Sequence, residues 1–191
     1  ILDLGHYSVF QYTLSTPWDL STASYASKFY DMKDSDSVYP KGLWISADGD
    51  KLYVSNVSGA GRTVRSYTMS TPWDVSTAAL DSDLMTIPTY SDDPTDLQFK
   101  PDGSSLYVMG DSDSFVYQYD LETGFDLTSG ESTYIKTINI DIPPGQRVLG
   151  DLYPSPDGTK MFAIDEDDLE VVRLDMGVPW DISDIEAVTS T

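Results

Sequence analysis

His6 is the only histidine of the chain, and there is no cysteine. Thiolate chemistry, disulfides and thiolate metal sites are therefore excluded. No Ser-His-Asp or Cys-His arrangement has a plausible partner set. A lone imidazole beside Tyr7 can offer one metal ligand, but no second histidine can join it. A surface or strand-end role is expected for it. Aromatic residues followed by Asp stand at Trp18, Trp73, Phe125 and Trp180. Flat rings of this kind stack on sugars, so these four are candidate carbohydrate platforms. They are equally candidate structural turns, the ring packing on a neighbouring repeat while the Asp caps the turn. The exchange of Trp for Phe at 125 favours packing. Acidic residues cluster as Asp34/Asp36, Asp92/Asp93/Asp96, Asp111/Asp113 and Asp165/Glu166/Asp167/Asp168. Carboxylates at alternate loop positions can hold Ca²⁺, but the full EF-hand phrase is absent, and solvated loop carboxylates are the expectation. No other cofactor is implied. Asn56-Val57-Ser58 is an N-glycosylation sequon in a predicted loop.

The balance of 32 acidic against 11 basic residues, a net charge of -21, repels nucleic acid and anionic membrane surfaces. Hydrophobic residues are nonetheless 40% of the 191, enough for a folded core. No apolar run is long enough to span a bilayer, so membrane insertion is not expected. The first residue is Ile, which fits a processed product or a fragment from which an export signal has been removed.

The organisation is repetitive. Asp48-Gly49, Asp102-Gly103 and Asp157-Gly158 each sit between two apolar runs, with the glycines 54 and 55 residues apart. Asp-Gly between alternating runs is a strong hairpin signal. The turn aromatics recur at spacings of 55, 52 and 55. Periods of this length mark arrays or propellers. One domain over 1–191 is expected, with a partial repeat at 1–33 and full repeats at 34–89, 90–144 and 145–191. Each full repeat reads as four short strands. In the third strands, Tyr12, Tyr67, Tyr119 and Leu174 share one column, and Leu14, Met69, Leu121 and Met176 the next but one. Polar residues lie between, the period-two pattern of a half-buried strand. Ile1 to Gly5 aligns with Leu106 to Gly110 as a second strand, so the first repeat lacks its innermost strand and Asp-Gly turn. Tyr134 to Ile140 is predicted as a fourth strand stopped by Pro143-Pro144.

Ser155-Pro156-Asp157-Gly158-Thr159-Lys160-Met161-Phe162-Ala163, then Glu170 to Asp175, together with Leu52-Tyr53-Val54-Ser55-Asn56, resembles the YVTN-type β-propeller repeat of bacterial and archaeal surface proteins. The similarity covers essentially the whole chain and implies an all-β propeller of four-stranded repeats. The Ser-Thr-Pro-Trp-Asp turn lies outside that pattern, and the Gly-His signature of WD40 repeats is absent.

The function expected from these features is a non-catalytic, exported structural or interaction module on a cell or particle surface, self-associating into a larger assembly. A carbohydrate-binding adhesin is one alternative. An enzyme similar to the lactonases that share this repeat type is another, with one His, few Arg and no convergent polar cluster weighing against it. The missing innermost strand leaves an unpaired edge that the rest of a longer chain or a strand from a neighbouring copy can fill.

Overall fold

A computed structural model describes residues 1–33, 39–58, 61–87, 93–110, 115–129, 136–139, 149–166 and 169–190. The alternating segments form strands β1 (Leu2–Asp3), β2 (Ser8–Leu14), β3 (Ala23–Asp31), β4 (Tyr39–Ile45), β5 (Lys51–Ser58), β6 (Gly61–Met69), β7 (Ala78–Ile87) and β8 (Pro94–Phe99). They continue as β9 (Ser105–Gly110), β10 (Phe115–Asp120), β11 (Lys136–Asn139), β12 (Leu149–Pro154), β13 (Lys160–Asp165), β14 (Glu170–Met176) and β15 (Ile185–Ser190). The sheets are β1-β2-β3, β4-β5-β6-β7, β8-β9-β10-β11 and β12-β13-β14-β15, a meander of antiparallel neighbours in each. We number them sheets 1 to 4.

The innermost strands pack on one another, β4 on β8 and β8 on β12, while β1 reaches β4. No comparable packing joins sheet 4 back to sheet 1 among the described residues. This is an all-β propeller architecture drawn as an open arc. Sheet 1 lacks an innermost strand, as expected, and an apolar cleft of about 240 Å³ lies beside it, lined by Val9, Tyr12, Ile45 and Trp73. Each innermost strand carries a register shift near its start, at Pro40/Leu43, Pro94/Asp96 and Leu149/Leu152. An extra residue there twists the strand and re-aims its side chains at the channel.

Apolar side chains fill three seams. Val9, Met32, Leu52, Tyr67 and Val75 join sheets 1 and 2. Tyr53, Val64, Leu97, Tyr119 and Leu127 join sheets 2 and 3. Tyr107, Val116, Met161, Leu174 and Ile182 join sheets 3 and 4. The expected third-strand columns are therefore core in sheets 2 to 4, whereas Tyr12 and Leu14 of sheet 1 are exposed.

Two sequence expectations shift. β1 pairs Leu2 with Val9 as β9 pairs Met109 with Val116, so the alignment of Ile1–Gly5 is displaced by two residues. Asn56-Val57-Ser58, expected in a loop, is strand; β5 runs to Ser58 and β6 begins at Gly61. The predicted strand from Tyr134 is described only as Lys136–Asn139, and Pro143-Pro144 lies outside the described residues.

The turn aromatics close each sheet. Asp74 N–H donates to Thr71 O at 3.1 Å, and Trp73 between them has φ 61°. Pro72 precedes it, and a positive φ belongs at the third position of a type II turn, where glycine is usual. Trp18, Phe125 and Trp180 have φ 66°, 65° and 65°. A non-glycine residue held so costs about 1 kcal/mol. What offsets it is a contact within the same sheet, to which the expected packing on the neighbouring repeat is added for Phe125, stacked on Trp44 of sheet 2 at 5.7 Å, and for Trp180, 6.3 Å from the Tyr107 ring of sheet 3. Trp73 N–H donates to Gly49 O at 2.8 Å, Phe125 N–H to Gly103 O at 3.1 Å and Trp180 N–H to Gly158 O at 2.9 Å. Each ring lies on that glycine, so closely that a Cβ would overlap it. Trp18 has no such glycine and is 96% exposed. The following Asp holds the turn: Asp74 Oδ1 accepts from Ser76 N–H at 3.1 Å and from its hydroxyl at 2.6 Å.

Between sheets, side chains of one reach the turn of the next. Tyr53 Oη donates to Phe125 O at 2.7 Å and Tyr107 Oη to Trp180 O at 2.6 Å. Gln11 Oε1 accepts from Val75 N–H at 3.1 Å and Gln118 Oε1 from Ile182 N–H at 3.2 Å.

Gly158→Ala is expected to lower unfolding free energy by about 3 kcal/mol, since it adds strain at φ 70° and displaces the Trp180 ring. Gly61→Ala, also at positive φ but with open space around its Cβ, is expected to cost only about 1 kcal/mol. Equal losses in urea melts refute the ring-on-glycine contact as the stabilising element.

Candidate active site

The Asp-Gly turns and the aromatic turns share one end of every sheet, so the β1–β2, β5–β6 and sheet-to-sheet connections share the other. Chemistry gathers at that second end. The β1–β2 turn is folded by Asp3, whose Oδ1 accepts from Gly5 N–H at 2.8 Å and His6 N–H at 3.1 Å. Its Oδ2 lies 2.9 Å from His6 Nδ1. The His6 side-chain hydrogen bond, then that of its backbone, holds the Asp3 carboxyl below the usual range against a smaller opposing effect of desolvation. A carboxylate at Nδ1 fixes the proton there and leaves Nε2 as the basic nitrogen. The ring stands edge-on to Phe10 at 6.5 Å. Tyr7 follows with φ 54° and packs edge-on to Tyr39 at 5.4 Å.

Tyr39 opens β4, and two residues further Lys41 extends its Nζ to 4.0 Å from Asp93 Oδ2. From β6, Arg62 brings Nη2 to 3.4 Å from Asp93 Oδ1, while its buried Nε has no hydrogen-bond partner among the described residues. Two cations thus converge on one carboxylate in a chain of strongly acidic composition. Beside them Thr63 Oγ1 donates to Asn56 Oδ1 at 2.7 Å. Asn56 is 1% exposed and lies within β5, not in a loop, so its amide is covered in the folded chain.

Deeper on the innermost strands, Gly42 meets the backbone of Asp96 with no room for a Cβ. Asp96 is buried, and its Oδ2 accepts from Leu152 N–H at 3.0 Å and Gln98 Nε2 at 3.2 Å, tying sheet 3 to sheet 4. Burial raises its pKa to about 6, with those hydrogen bonds opposing and the nearby Asp151 adding to the rise.

Of the acidic clusters, Asp34/Asp36, Asp92, Asp111/Asp113 and Asp167/Asp168 lie outside the described residues. Asp93 is ion-paired, Asp96 and Asp165 are buried, and Glu166 lies against Gly150. No group of three or more His, Asp or Glu able to hold a metal occurs among the described residues. The four turn aromatics sit at the opposite end from the His6 and Arg62 groups. His6 has no second histidine to join it, and its partner is instead the carboxylate three residues before it. The Asp3-x-x-His6 spacing over a tight turn was the available signal. Lys41, Arg62 and Asp93 come from three strand ends and had no local signature.

No protein-family model matches the chain, and no curated protein matches it in sequence. Solved structures share its fold. The periplasmic gluconolactonase of Pseudomonas aeruginosa matches with a TM-score of 0.56 at 20% identity, over 80% of this chain and 41% of that one. A candidate 6-phosphogluconolactonase of Bacteroides fragilis matches with 0.58 at 17% identity, over 96% and 50%. The β-propeller domain of Myceliophteria thermophila Cps50 (Swd1) matches with 0.56 at 12% identity, over 94% and 52%. The chain is a β-propeller by this likeness and spans about half the length of these structures. The expectations of a non-catalytic structural module and of no enzyme activity are overturned by the lactonases among them. Those expectations weighed His6 without Asp3 and assumed no convergent polar groups. No helix among the described residues is long and apolar enough to cross a membrane.

Between about pH 4 and 6 the folded chain keeps a proton on Asp96 that the unfolded chain has lost, so this residue's contribution to stability falls as pH rises through that window. The carboxylates held low, Asp102 and Asp157 at about 2, act only below it. Asp96→Asn is therefore expected to gain stability relative to the parent as pH rises from 4 to 6, by up to about 3 kcal/mol. A pH-independent difference between the two melts refutes the buried-proton assignment.

Proposed function

We propose that this chain carries the catalytic end of a lactonase-like propeller that hydrolyses a sugar lactone. The observation that carries the reading is the Asp3–His6 pair in the β1–β2 turn, 2.9 Å apart and open to solvent. His6 Nε2 takes a proton from water as the water oxygen attacks the lactone carbonyl carbon. The carbon–oxygen double bond opens to an oxyanion. The oxyanion then collapses, the ring carbon–oxygen bond breaks, and His6 returns the proton to the leaving ring oxygen, giving the open-chain acid. Asp3 holds the imidazole tautomer and stabilises its charged form. Lys41 and Arg62 supply positive charge near the same end, suited to the oxyanion and to the carboxylate product. The fold shared with a periplasmic gluconolactonase and with a candidate 6-phosphogluconolactonase supports the reaction class. An exported location and descent from the YVTN-type repeat belong to the same reading, supported by the periplasmic neighbour and by the Tyr53 and Asp157-Gly158 phrases respectively.

Purified chain is expected to open δ-gluconolactone faster than the spontaneous reaction, followed by acid release near neutral pH. His6→Ala is expected to lower kcat by about 100-fold or more with the fold unchanged. Asp3→Asn is expected to give a smaller loss, through the wrong tautomer. Rates equal to the spontaneous reaction, or a fully active His6→Ala, overturn the proposal.

A further inference from the structure

Basic side chains of this protein that pair with a carboxylate mostly do so closely. Lys28 Nζ meets Asp74 at 2.6 Å, Arg173 meets Asp175 at 2.8 Å, Lys51 meets Asp81 at 2.9 Å and Lys100 meets Asp102 at 3.1 Å. Lys41 and Arg62 differ. They come from β4 and β6, the two neighbours of β5 in sheet 2, so their strands lie about 10 Å apart. Both reach across the seam to Asp93, just ahead of β8 in sheet 3, yet stop at 4.0 Å and 3.4 Å. Those separations are too long for the close hydrogen bond that ionised partners make. Arg62 Nε is buried and has no hydrogen-bond partner among the described residues. A buried donor without an acceptor is rare and costly, so its retention calls for an explanation. The side chains of Lys41, Arg62 and Asp93 are 31%, 27% and 36% exposed, open enough for a ligand to reach and enclosed enough to limit screening by salt.

We propose that Lys41 and Arg62 form a binding site for the oxyanion of a ligand, a carboxylate or a phosphate, and that Asp93 holds its place while the site is empty. The chemistry of the donors fits. A guanidinium presents a planar fork that takes two oxygens of one oxyanion, and an ammonium adds a point charge from the side. Asp93 draws both cations toward one spot but comes close to neither, and it leaves Nε unmet. A free oxyanion lying between them can approach each more closely than a carboxylate tethered to sheet 3. Two positive charges against one negative leave this spot cationic in a chain of net charge -21, so it is a place where an anion is attracted to a surface that otherwise repels it. Asp93 then acts as a competitor that the ligand displaces. In the hydrolysis proposed above, these cations face charge formed during the reaction. Here they hold charge that the ligand brings with it, and the inference rests on the geometry around Asp93 rather than on His6. Two sources supply such an oxyanion, a free anion and the acidic group of a sugar acid, and the experiment separates them.

Titration calorimetry of the purified chain with inorganic phosphate and with gluconate is expected to show a single site that weakens as sodium chloride is added. Arg62→Gln is expected to lower the affinity by about 10-fold or more, the loss of a charge-assisted hydrogen bond. Asp93→Asn is expected to raise it, because the competing carboxylate is gone. In the unsubstituted chain the Arg62 Nε–H resonance is expected to move as the anion is added, a reading that depends on no variant folding. Phosphate bound as tightly as gluconate, or more tightly, assigns the site to the oxyanion alone. Gluconate bound more tightly assigns it to a sugar acid, and either result upholds the proposal. No binding of either probe overturns it, as do an Arg62 resonance that stays in place, an affinity unchanged by Arg62→Gln, or one not raised by Asp93→Asn. Hydrolysis of neutral δ-gluconolactone, followed on the same samples, reports on the catalytic reading separately.

Discussion

Each complete sheet of this protein is fastened by one contact, an aromatic ring lying on a glycine. The glycine is required twice over, for its positive φ and because the ring occupies the space of a Cβ. The aromatic is held in a backbone conformation it does not prefer, and the hydrogen bond to the glycine carbonyl offsets that strain. Because the ring joins the turn between the first and second strands to the turn between the third and fourth, it fixes both hairpins of a sheet together. It also fixes the turn carbonyl and N–H groups that Tyr53, Tyr107 and Gln118 reach from the preceding sheet. Sheet 1 shows the turn without its glycine: Trp18 keeps the positive φ through local turn bonds, yet lies bare.

Fastening one end leaves the other free to vary. Asp3 and His6 occupy a short turn that needs only backbone hydrogen bonds to its own carboxylate. Lys41, Arg62 and Asp93 come from strands whose register is set elsewhere. Of these groups the Asp93 ion pairs with Lys41 and Arg62 cross between sheets 2 and 3, and the seams beneath them are apolar. Asp96 is the exception, a carboxyl placed between two sheets where burial disfavours its charge and two hydrogen bonds favour it.

The repeats were legible because their signals are local. Asp-Gly turns, Pro-Trp-Asp turns and period-two columns each specify structure within a few residues, and three copies reinforce one another. Where a copy lacked its Asp-Gly anchor, as at Ile1–Gly5, the register slipped by two. Asn56 was misplaced because a polar Asn-Val-Ser phrase looks like a loop, while pairing of β5 with β6 extends past it. The packing of the turn aromatics on the neighbouring repeat was legible for Phe125 and Trp180, whereas the glycine beneath each ring was not, since the Asp-Gly phrase accounts for its glycine by the hairpin alone. The cation pair on Asp93 could not be read from one chain, because its members meet only when sheets 2 and 3 are set side by side.

The hydrogen bonds by which a side chain of one sheet reaches the aromatic turn of another all point one way. Gln11 serves Val75, Tyr53 serves Phe125, and Tyr107 and Gln118 serve Trp180 and Ile182, always from one sheet to the turn that follows. Sheet 4 has Phe162 where the others have tyrosine and Arg173 where two have glutamine, so the reaching groups end there. The row is therefore a polar one, like overlapping tiles, with a gripping side and a gripped side. Under a mechanical load such a row has no single breaking point. Its sheets come away one at a time, and the seam between sheets 3 and 4 parts only with the loss of a tyrosine, a glutamine and the Asp96 carboxylate across it.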